Sequence, residues 1–197
     1  MGGTTYLTAD LHLGHKLVSE IRGFDSTEEH DAYLADMWDR TVKPKDVVKV
    51  LGDLCIGRGR PHTYALNWLD QRPGIIDFVF GNHDQGHPMH SEAHKVQADY
   101  FPRCRSAQQS GILKVDGQKV LLSHFPYASD HYDVIRYPEW RLRDEGLWLI
   151  HGHTHSEVAY PGNGSREIHV GLDAHRLKLV PLSWVHKIIR DAEKEAA

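Results

Sequence analysis

The chain is poor in cysteine and has no long apolar segment. Its two cysteines, Cys55 and Cys104, lie far apart and form no CxxC pattern, so neither a disulfide framework nor a thiolate zinc site is indicated. No stretch approaches the roughly 18 apolar residues of a membrane span. The first residues also show no basic region followed by an apolar stretch. We therefore expect a soluble, cytoplasmic protein in a reducing setting, with no membrane partner.

The chain also lacks an excess of positive charge. The sequence has 23 Lys and Arg against 27 Asp and Glu, a formal net charge of -4, and no sustained basic stripe. This balance argues against an extended nucleic-acid surface. A small phosphate ester, nucleotides included, is compatible with it. Nothing in the composition determines the oligomeric state.

Histidine, in contrast, is abundant. Sixteen of the 197 residues are histidine, and neutral imidazole is the commonest metal ligand among side chains. The remaining composition, with 40% apolar and 25% charged residues, is that of an ordinary globular protein. The length predicts a single domain over residues 1–197.

Apolar runs and turn signals predict an α/β fold. Buried strands are predicted at residues 4–9, 47–51, 75–80, 120–123 and 147–150, and helices at residues 27–42, from Pro61 to before Pro73, and at residues 181–192. The first half therefore indicates repeated βαβ units. In the second half, Asp116-Gly117 predicts a hairpin between residues 112–115 and 119–122, and a similar hairpin is expected around residues 161–165. Residues 136–143 are expected to form an irregular loop or short helix over one face.

Polar residues follow the predicted strands, at the edge where ligands gather in α/β sheets. They are Asp10, Asp53, Asn82, His124 and His153. His12 and His155 follow two residues after Asp10 and His153, so each pair reaches one ion if the backbone curls there. Together these seven residues supply ligands for two divalent metals.

A shared Asp53 carboxylate would let two cations sit about 3.5 to 4 Å apart. Two dications against the carboxylates of Asp10 and Asp53 leave two positive charges. That surplus attracts a phosphate ester and lowers the pKa of a bridging water, which then attacks phosphorus as hydroxide. Such a mixed oxygen and nitrogen ligand set accepts Mn²⁺, Fe, Zn²⁺ or Co²⁺. Mn²⁺ is our working expectation.

His83 lies beside Asn82 and is free to act as an acid. With a reference pKa of about 6.5, its imidazole can protonate a departing alkoxide near neutral pH. Asp84, the next residue, is expected to orient that ring. His83 and Asp84 are therefore the candidate catalytic residues.

The motifs DxH, GD, GNHD, an isolated His and GHxH occur in that order from Asp10 to His155. This set resembles the calcineurin-like metallophosphoesterase family. The resemblance implies two packed mixed β-sheets flanked by helices, the αββα metallo-dependent phosphatase fold, with His83 as the catalytic histidine. It also implies the ligand sets of the two metals. One metal would be bound by Asp10, His12, Asp53 and His155, and the other by Asp53, Asn82, His124 and His153.

The segment Asp10 to Lys16, DLHLGHK, resembles a small bacterial and phage subgroup of these enzymes. Some of that subgroup cleave phosphodiesters, cyclic nucleotides among them, which implies a small phosphodiester substrate here. His15 is interpreted equally as a helix-start residue and as a substrate contact. Arg58 is a candidate phosphate contact that no motif match supports.

Three functions stay open. The leading one is a dinuclear, metal-dependent phosphodiesterase. A phosphomonoesterase would need a cationic donor for the additional phosphate charge, for which Arg58 is available. A non-catalytic metal-binding scaffold would be expected to have lost ligands, and none of the seven is missing.

Overall fold

A computed structural model of the protein describes residues 2–130 and 133–195. In chain order its elements are β1 (Thr5–Thr8), α1 (Lys16–Ile21), α2 (Thr27–Thr41), β2 (Val47–Val50), α3 (Arg60–Asp70), β3 (Ile75–Val79), α4 (Ala93–Val96), β4 (Ser106–Gln108), β5 (Ser110–Val115), β6 (Gln118–Ser123), β7 (Trp148–His151), β8 (Glu167–His169), β9 (Val180–Pro181) and α5 (Leu182–Glu195). Short 3-10 turns lie at Gln97–Asp99, Pro138–Trp140 and Leu172–His175.

The strands form two mixed sheets. The first has the order β4-β3-β2-β1-β9, in which β1 to β4 are parallel neighbours and β9 runs antiparallel to β1. The second has the order β5-β6-β7-β8, with β5 antiparallel to β6 and the other neighbours parallel. In the first sheet the parallel strands are joined through helices, as the βαβ prediction requires.

Two apolar clusters cover the sheets. One joins the first sheet to helices α2 and α3, and includes Val48, Phe78, Leu34, Trp38 and Leu69. The other joins strands of both sheets to α5, and includes Leu7, Val79, Val120, Ile150 and Val185. Each fully buried side chain of this size contributes about 1.5 to 3 kcal/mol from burial. The predicted fold class, two packed mixed sheets flanked by helices, is confirmed.

Local signals explain the two longer helices of the first half. The Ser26 hydroxyl accepts a hydrogen bond from the Glu29 amide, which caps α2 one residue before its first turn. Leu34 and Trp38, four residues apart, are buried on one side of that helix. In α3 a proline occupies the first turn, where its missing N–H costs nothing. Both helices lie within two residues of the predicted bounds.

The predicted hairpin at Asp116-Gly117 is present. Val115 pairs with Gln118, and both turn residues have positive φ, 48° and 83°, as a two-residue hairpin loop requires. The prediction of a second hairpin around residues 161–165 is wrong. The β8 strand pairs in parallel with β7 instead, and residues 157–160 form no strand, although Ala159 accepts one hydrogen bond from His169. Backbone groups of β8 thus pair with the buried strand β7 rather than with a strand at residues 157–160.

No helix among residues 2–130 and 133–195 has the length and apolar character needed to cross a bilayer. The segment over residues 136–143 contains only the 3-10 turn Pro138–Trp140, as expected for an irregular loop.

Candidate metal centre

The loops that leave strands of both sheets meet at one place. Asp10 follows β1, Asp53 follows β2, Asn82 follows β3, His124 follows β6 directly and His153 follows β7. All five side chains are buried, with exposed fractions of 5% or less. The structure thus brings together residues that lie more than 140 positions apart in the chain.

The backbone at these residues is unusual. Asp10, His12, Asp53, His153 and His155 have φ values of 60°, 50°, 56°, 73° and 50°, in the left-handed region that residues other than glycine rarely adopt. Each such residue costs about 1 to 3 kcal/mol, and strain of this kind clusters at functional sites. This is the curl that lets side chains two residues apart turn to one point.

Glycines in the motifs leave room for the ligands. A Cβ atom at Gly52, where φ is 89°, would lie 2.6 Å from the Gly81 amide nitrogen and 2.6 Å from His124 Nδ1. A Cβ atom at Gly152 would lie 2.9 Å from Asp10 Oδ2. The glycines of the GD and GHxH motifs therefore permit close approach of backbone and ligand.

A first group of donors consists of Asp10, His12 and His155, with one ligand atom of each within 4.8 Å of the others. The Nε2 atoms of His12 and His155 lie 3.1 Å apart. Two nitrogens bound to one ion at about 2.1 Å, at right or tetrahedral angles, would lie about 3.0 to 3.4 Å apart. Asp53 Oδ2 is 3.8 Å from His12 Nε2. These residues fit a metal ion.

A second group consists of Asp10, Asp53 and His124. His124 Nδ1 donates to the Leu51 carbonyl at 2.8 Å, so Nε2 of the neutral ring carries the lone pair. That nitrogen lies 3.4 Å from Asp53 Oδ2 and 3.2 Å from Asn82 Oδ1. A lone pair facing two oxygen acceptors is an arrangement that a cation stabilises, and the backbone hydrogen bond orients the ring for it.

Asp10 belongs to both groups, and Asp53 lies near nitrogens of both. Five of the seven predicted ligands therefore surround one polar centre with the two carboxylates in the middle, and Asn82 borders it next to His124. Asp10 thus shares with Asp53, the carboxylate that we expect the two metals to share, a position near donors of both groups.

His153 lies beside the second group rather than within it. Its ring centroid is 5.1 Å from that of His124, and its backbone N–H donates to both Asp10 carboxylate oxygens at 3.1 Å. Its Nε2 is 3.3 Å from Oδ2 of Asp130, a buried carboxylate that also pairs with Arg141. The ligand role of His153 stays a prediction. Asp130 gave no signal in the sequence, because it follows no strand.

Burial and charge set the protonation of these groups. Burial lowers the pKa of His12 to about 3 and that of His153 to about 3, so both rings are neutral, as metal ligation requires. Burial also acts to lower the pKa of His124, but the charge of Asp53 and a hydrogen bond to it outweigh burial and raise that pKa to about 9, so a metal ion would have to displace a proton from Nε2 of this ring. The pKa of Asp53 lies well below its usual range, because the nearby imidazoles outweigh its burial.

Asp173 and Arg22 hold residues of the first donor group in place through hydrogen bonds. Asp173 Oδ2 accepts a hydrogen bond from His155 Nδ1 at 2.8 Å and pairs with Arg22, whose Nε donates to Oδ1 at 2.8 Å. Arg22 also donates to the backbone carbonyls of Asp10 and Leu11. Sequence reasoning missed this contact between Asp173 and His155. The position of Asp173 just after β8 was the available signal, and Arg22 offered none.

His83 lies at the mouth of the centre. Its backbone N–H donates to Asp53 Oδ1 at 2.9 Å, and its Nε2 is 3.9 Å from Asp53 Oδ2. Its side chain is 37% exposed, and its ring meets His12 edge-on with centroids 5.6 Å apart. Burial lowers the pKa of His83 below its usual value. The imidazole therefore faces both the ligand groups and solvent.

The expected role of Asp84 needs correction. Its carboxylate accepts hydrogen bonds from the amides of Gly81, Asp53 and Leu54 at 2.7, 2.8 and 3.0 Å. None of the hydrogen bonds found in the described chain joins it to His83. Asp84 ties the loop after β2 to the loop after β3 and thus positions Asp53. Burial, and then the charge of Asp53, raises the pKa of Asp84 to about 7.

The two candidate substrate residues differ. His15 caps α1, since its Nδ1 accepts from the Val18 amide at 3.2 Å, and its ring centroid lies 6.0 Å from that of His12. It is thus a helix-start residue that also borders the centre. The guanidinium of Arg58 instead hydrogen-bonds Gln85 and pairs with Glu92 at 3.6 Å. The expectation that Arg58 approaches the phosphate is not supported, because acidic and amide groups outside the centre engage it.

Three further histidines follow the GNHD motif, His87, His90 and His94, and they do not share one solvated helix face. His87 is buried against Trp140, with ring centroids 5.2 Å apart. His90 Nε2 donates to the Asn82 carbonyl at 3.0 Å and so holds the loop that presents Asn82. Only His94 lies in a helix, α4.

The protein is similar along its length to two phage proteins. It is 43% identical over 195 residues to the Gene 66 protein of Mycobacterium phage D29, covering 96% of this chain and 97% of that protein. It is 40% identical over 200 residues to the Gene 66 protein of Mycobacterium phage L5, covering 97% and 96%. No protein-family profile matches the chain.

Two solved structures share the fold. A protein of unknown function from Aquifex aeolicus superposes with a TM-score of 0.70 at 20% identity, over 95% of this chain and 100% of that one. The phosphopantetheinyl hydrolase of Mycobacterium tuberculosis superposes with a TM-score of 0.52 at 12% identity, over 91% and 95%. At these identities the likeness shows the fold alone. The sequence identity to the two phage proteins shows the family: the chain belongs to the mycobacteriophage Gene 66 proteins.

Proposed function

We propose that this protein is a metal-dependent phosphoesterase that hydrolyses a small phosphodiester at a centre of two divalent ions. The observation that carries the proposal is the convergence of two donor groups, Asp10 with His12 and His155, and Asp10 with Asp53 and His124, below the half-exposed ring of His83. The fold, which the chain shares with a phosphopantetheinyl hydrolase, is compatible with it.

The chain would hold the two ions with its seven predicted ligands. Asp10, His12, Asp53 and His155 would bind one ion, and Asp53, Asn82, His124 and His153 the other. When bound, such a pair of ions activates water and neutralises charge on a phosphate ester. The mixed carboxylate, carboxamide and imidazole set suits Mn²⁺, our working choice, and also Fe, Zn²⁺ or Co²⁺.

His83 would protonate the leaving group. Its ring lies at the mouth, next to His12, where the ester oxygen of a substrate bound at the centre would reach it. The backbone N–H of His83 donates to the Asp53 carboxylate, which fixes the position of the His83 backbone relative to the centre. Because burial lowers the pKa of His83, the protonated ring is a stronger acid than an ordinary imidazolium.

A diester is favoured over a monoester. Arg58, the cation that a monoester's additional charge would need, is engaged by Glu92. A non-catalytic scaffold is the less favoured alternative, because the chain retains every predicted ligand and presents His83 at the mouth.

The assay that tests the proposal compares bis-(p-nitrophenyl) phosphate with p-nitrophenyl phosphate on the same preparation with Mn²⁺. We expect faster turnover of the diester, and loss of both activities after chelation. Faster turnover of the monoester would make the protein a phosphomonoesterase. Bound metal without turnover of either ester would support the scaffold alternative.

A further inference from the structure

A groove of about 470 Å³ opens beside the first donor group. Its walls are α1 on one side and the turn after β8 on the other. We call it the α1 groove. Its lining includes Leu17, Ile21, His155, Asp173, Arg176 and Leu177.

One wall of the groove is an exposed aliphatic face. Leu17 is 58% exposed and Ile21 is 74% exposed, although large apolar side chains on a surface helix normally turn toward the core. The two residues are four apart, so they lie on the same face of α1. Exposed apolar side chains grouped in a concave surface are typical of a ligand site.

The groove is continuous with the metal centre through His155. That ring contributes Nε2 to the first donor group and also lines the groove. Asp173, which accepts the hydrogen bond from His155 Nδ1, lines the groove as well. A molecule in the groove would therefore contact the two residues that form and orient one side of the centre.

The opposite wall carries backbone strain. Arg176 and Leu177 have φ values of 52° and 57°, two consecutive left-handed residues other than glycine. Outside the predicted ligands, few described residues other than glycine adopt this conformation, and such strain persists where the surroundings fix it. The strained turn places Leu177 across the groove from α1.

We propose that the α1 groove binds an aryl-sized apolar ester group of the phosphodiester, the group that stays on phosphorus after hydrolysis. This inference rests on the proposed function and narrows its substrate class. The groove lining includes His155 and not His83, so an ester group seated there lies away from the acid that would protonate the leaving group. The aliphatic side chains in the lining, Leu17, Val18, Ile21 and Leu177, would select that group by its apolar area.

The test uses two substrates with the same leaving group, methyl p-nitrophenyl phosphate and phenyl p-nitrophenyl phosphate, with release of p-nitrophenolate as the readout. The variants are Leu17→Gln and Ile21→Gln, which keep helix propensity and net charge. The matched control is Ile112→Gln, since Ile112 is 59% exposed on β5 and does not line the groove.

We expect the wild-type KM to be about tenfold lower for the phenyl ester, because the phenyl group buries apolar area that methyl lacks. Leu17→Gln and Ile21→Gln should remove most of that advantage, leave kcat nearly unchanged, and leave the methyl ester unaffected. Ile112→Gln should behave as wild type. Turnover of both esters with no phenyl advantage, or with an advantage that the groove variants retain, would overturn the inference and leave the proposed function intact. Turnover of neither ester would overturn the proposed function itself.

Discussion

The Nε2 atoms of His12 and His155 lie 3.1 Å apart, although 143 positions separate the two residues. The rings stack with centroids 4.9 Å apart and an angle of 23° between their planes. Burial keeps His12 neutral. Burial also acts to lower the pKa of His155, but the hydrogen bond to Asp173, together with nearby negative charge, outweighs burial and raises that pKa. A metal ion shared by both nitrogens would satisfy them together, and the surrounding residues should then control its affinity.

Asp173→Asn should weaken metal binding at the first group. The amide loses the charge that holds His155 Nδ1–H and the pairing with Arg22, and such outer contacts typically change metal affinity about 10- to 100-fold. Isothermal titration calorimetry with Mn²⁺ measures this affinity. The control is Asp70→Asn, which replaces an exposed aspartate on α3. Equal affinities for wild type and Asp173→Asn would show that Asp173 only shapes its turn.

His83→Ala should slow hydrolysis according to the leaving group. An alkyl phosphodiester needs protonation of its alkoxide, so we expect a loss of about 10² or more, the usual contribution of a general acid. With a nitrophenyl ester the loss should be much smaller. Metal content should not change, and His186→Ala, which alters an imidazole paired with Asp116, is the control. Equal losses on both esters would rule out the acid role.

Asp84→Asn should destabilise the fold as well as the centre. The carboxylate accepts three backbone N–H groups, whereas the carboxamide has one acceptor oxygen and turns a donor toward the amides. Leaving buried amides unsatisfied costs about 1 to 3 kcal/mol. The control is Asp144→Asn, because Asp144 is exposed and accepts one backbone N–H, from Gly146. Urea unfolding should show a lower midpoint than wild type for Asp84→Asn only. An unchanged midpoint would contradict the role we assign to this carboxylate.

Asp77→Asn should destabilise the first sheet in a pH-dependent way. Asp77 on β3 pairs with Lys49 on β2 and Arg105 beside β4, and these contacts outweigh its burial and lower its pKa to about 2. Because the folded pKa is below the unfolded value, its stabilisation is complete above about pH 4 and lost as pH falls toward 2. After allowance for solvent screening we expect about 1 kcal/mol at pH 7.

Urea unfolding at several pH values measures this effect. The difference between wild type and Asp77→Asn should be constant from pH 7 to pH 5 and should shrink below about pH 4. A difference that grows as the pH falls would contradict the assignment.

Much of the centre follows from the sequence, because its residues occupy a position that parallel strands define. Asp10, Asp53 and Asn82 each come just after a short apolar run, and the strands of one sheet end at one edge. The hairpin at Asp116-Gly117 also follows from a local signal, the Asp-Gly dipeptide between two apolar runs. These features depend on local pattern, which a single sequence carries.

The supporting residues depend on tertiary placement instead. Arg22 reaches Asp173 across 151 positions, and no local pattern predicts that pair. Asp84 looked like a partner of His83 because they are adjacent, yet the loop geometry turns its carboxylate to the backbone amides. Arg58 follows the GD motif closely, but its long side chain reaches Gln85 and Glu92. Adjacency along the chain therefore does not predict which groups a side chain contacts, because loop conformation and side-chain length determine where its polar atoms lie.

The most direct test is metal analysis and diester turnover on one preparation of wild type and Asp53→Asn. The carboxylate of Asp53 lies 3.4 to 3.9 Å from the Nε2 atoms of His124, His12 and His83, so its charge supports both donor groups. For wild type we expect two equivalents of divalent metal and Mn²⁺-dependent hydrolysis of bis-(p-nitrophenyl) phosphate. For Asp53→Asn we expect loss of metal and of turnover. Full metal content and full turnover in Asp53→Asn, or a wild-type protein that binds no divalent metal, would contradict a two-metal centre held by Asp53.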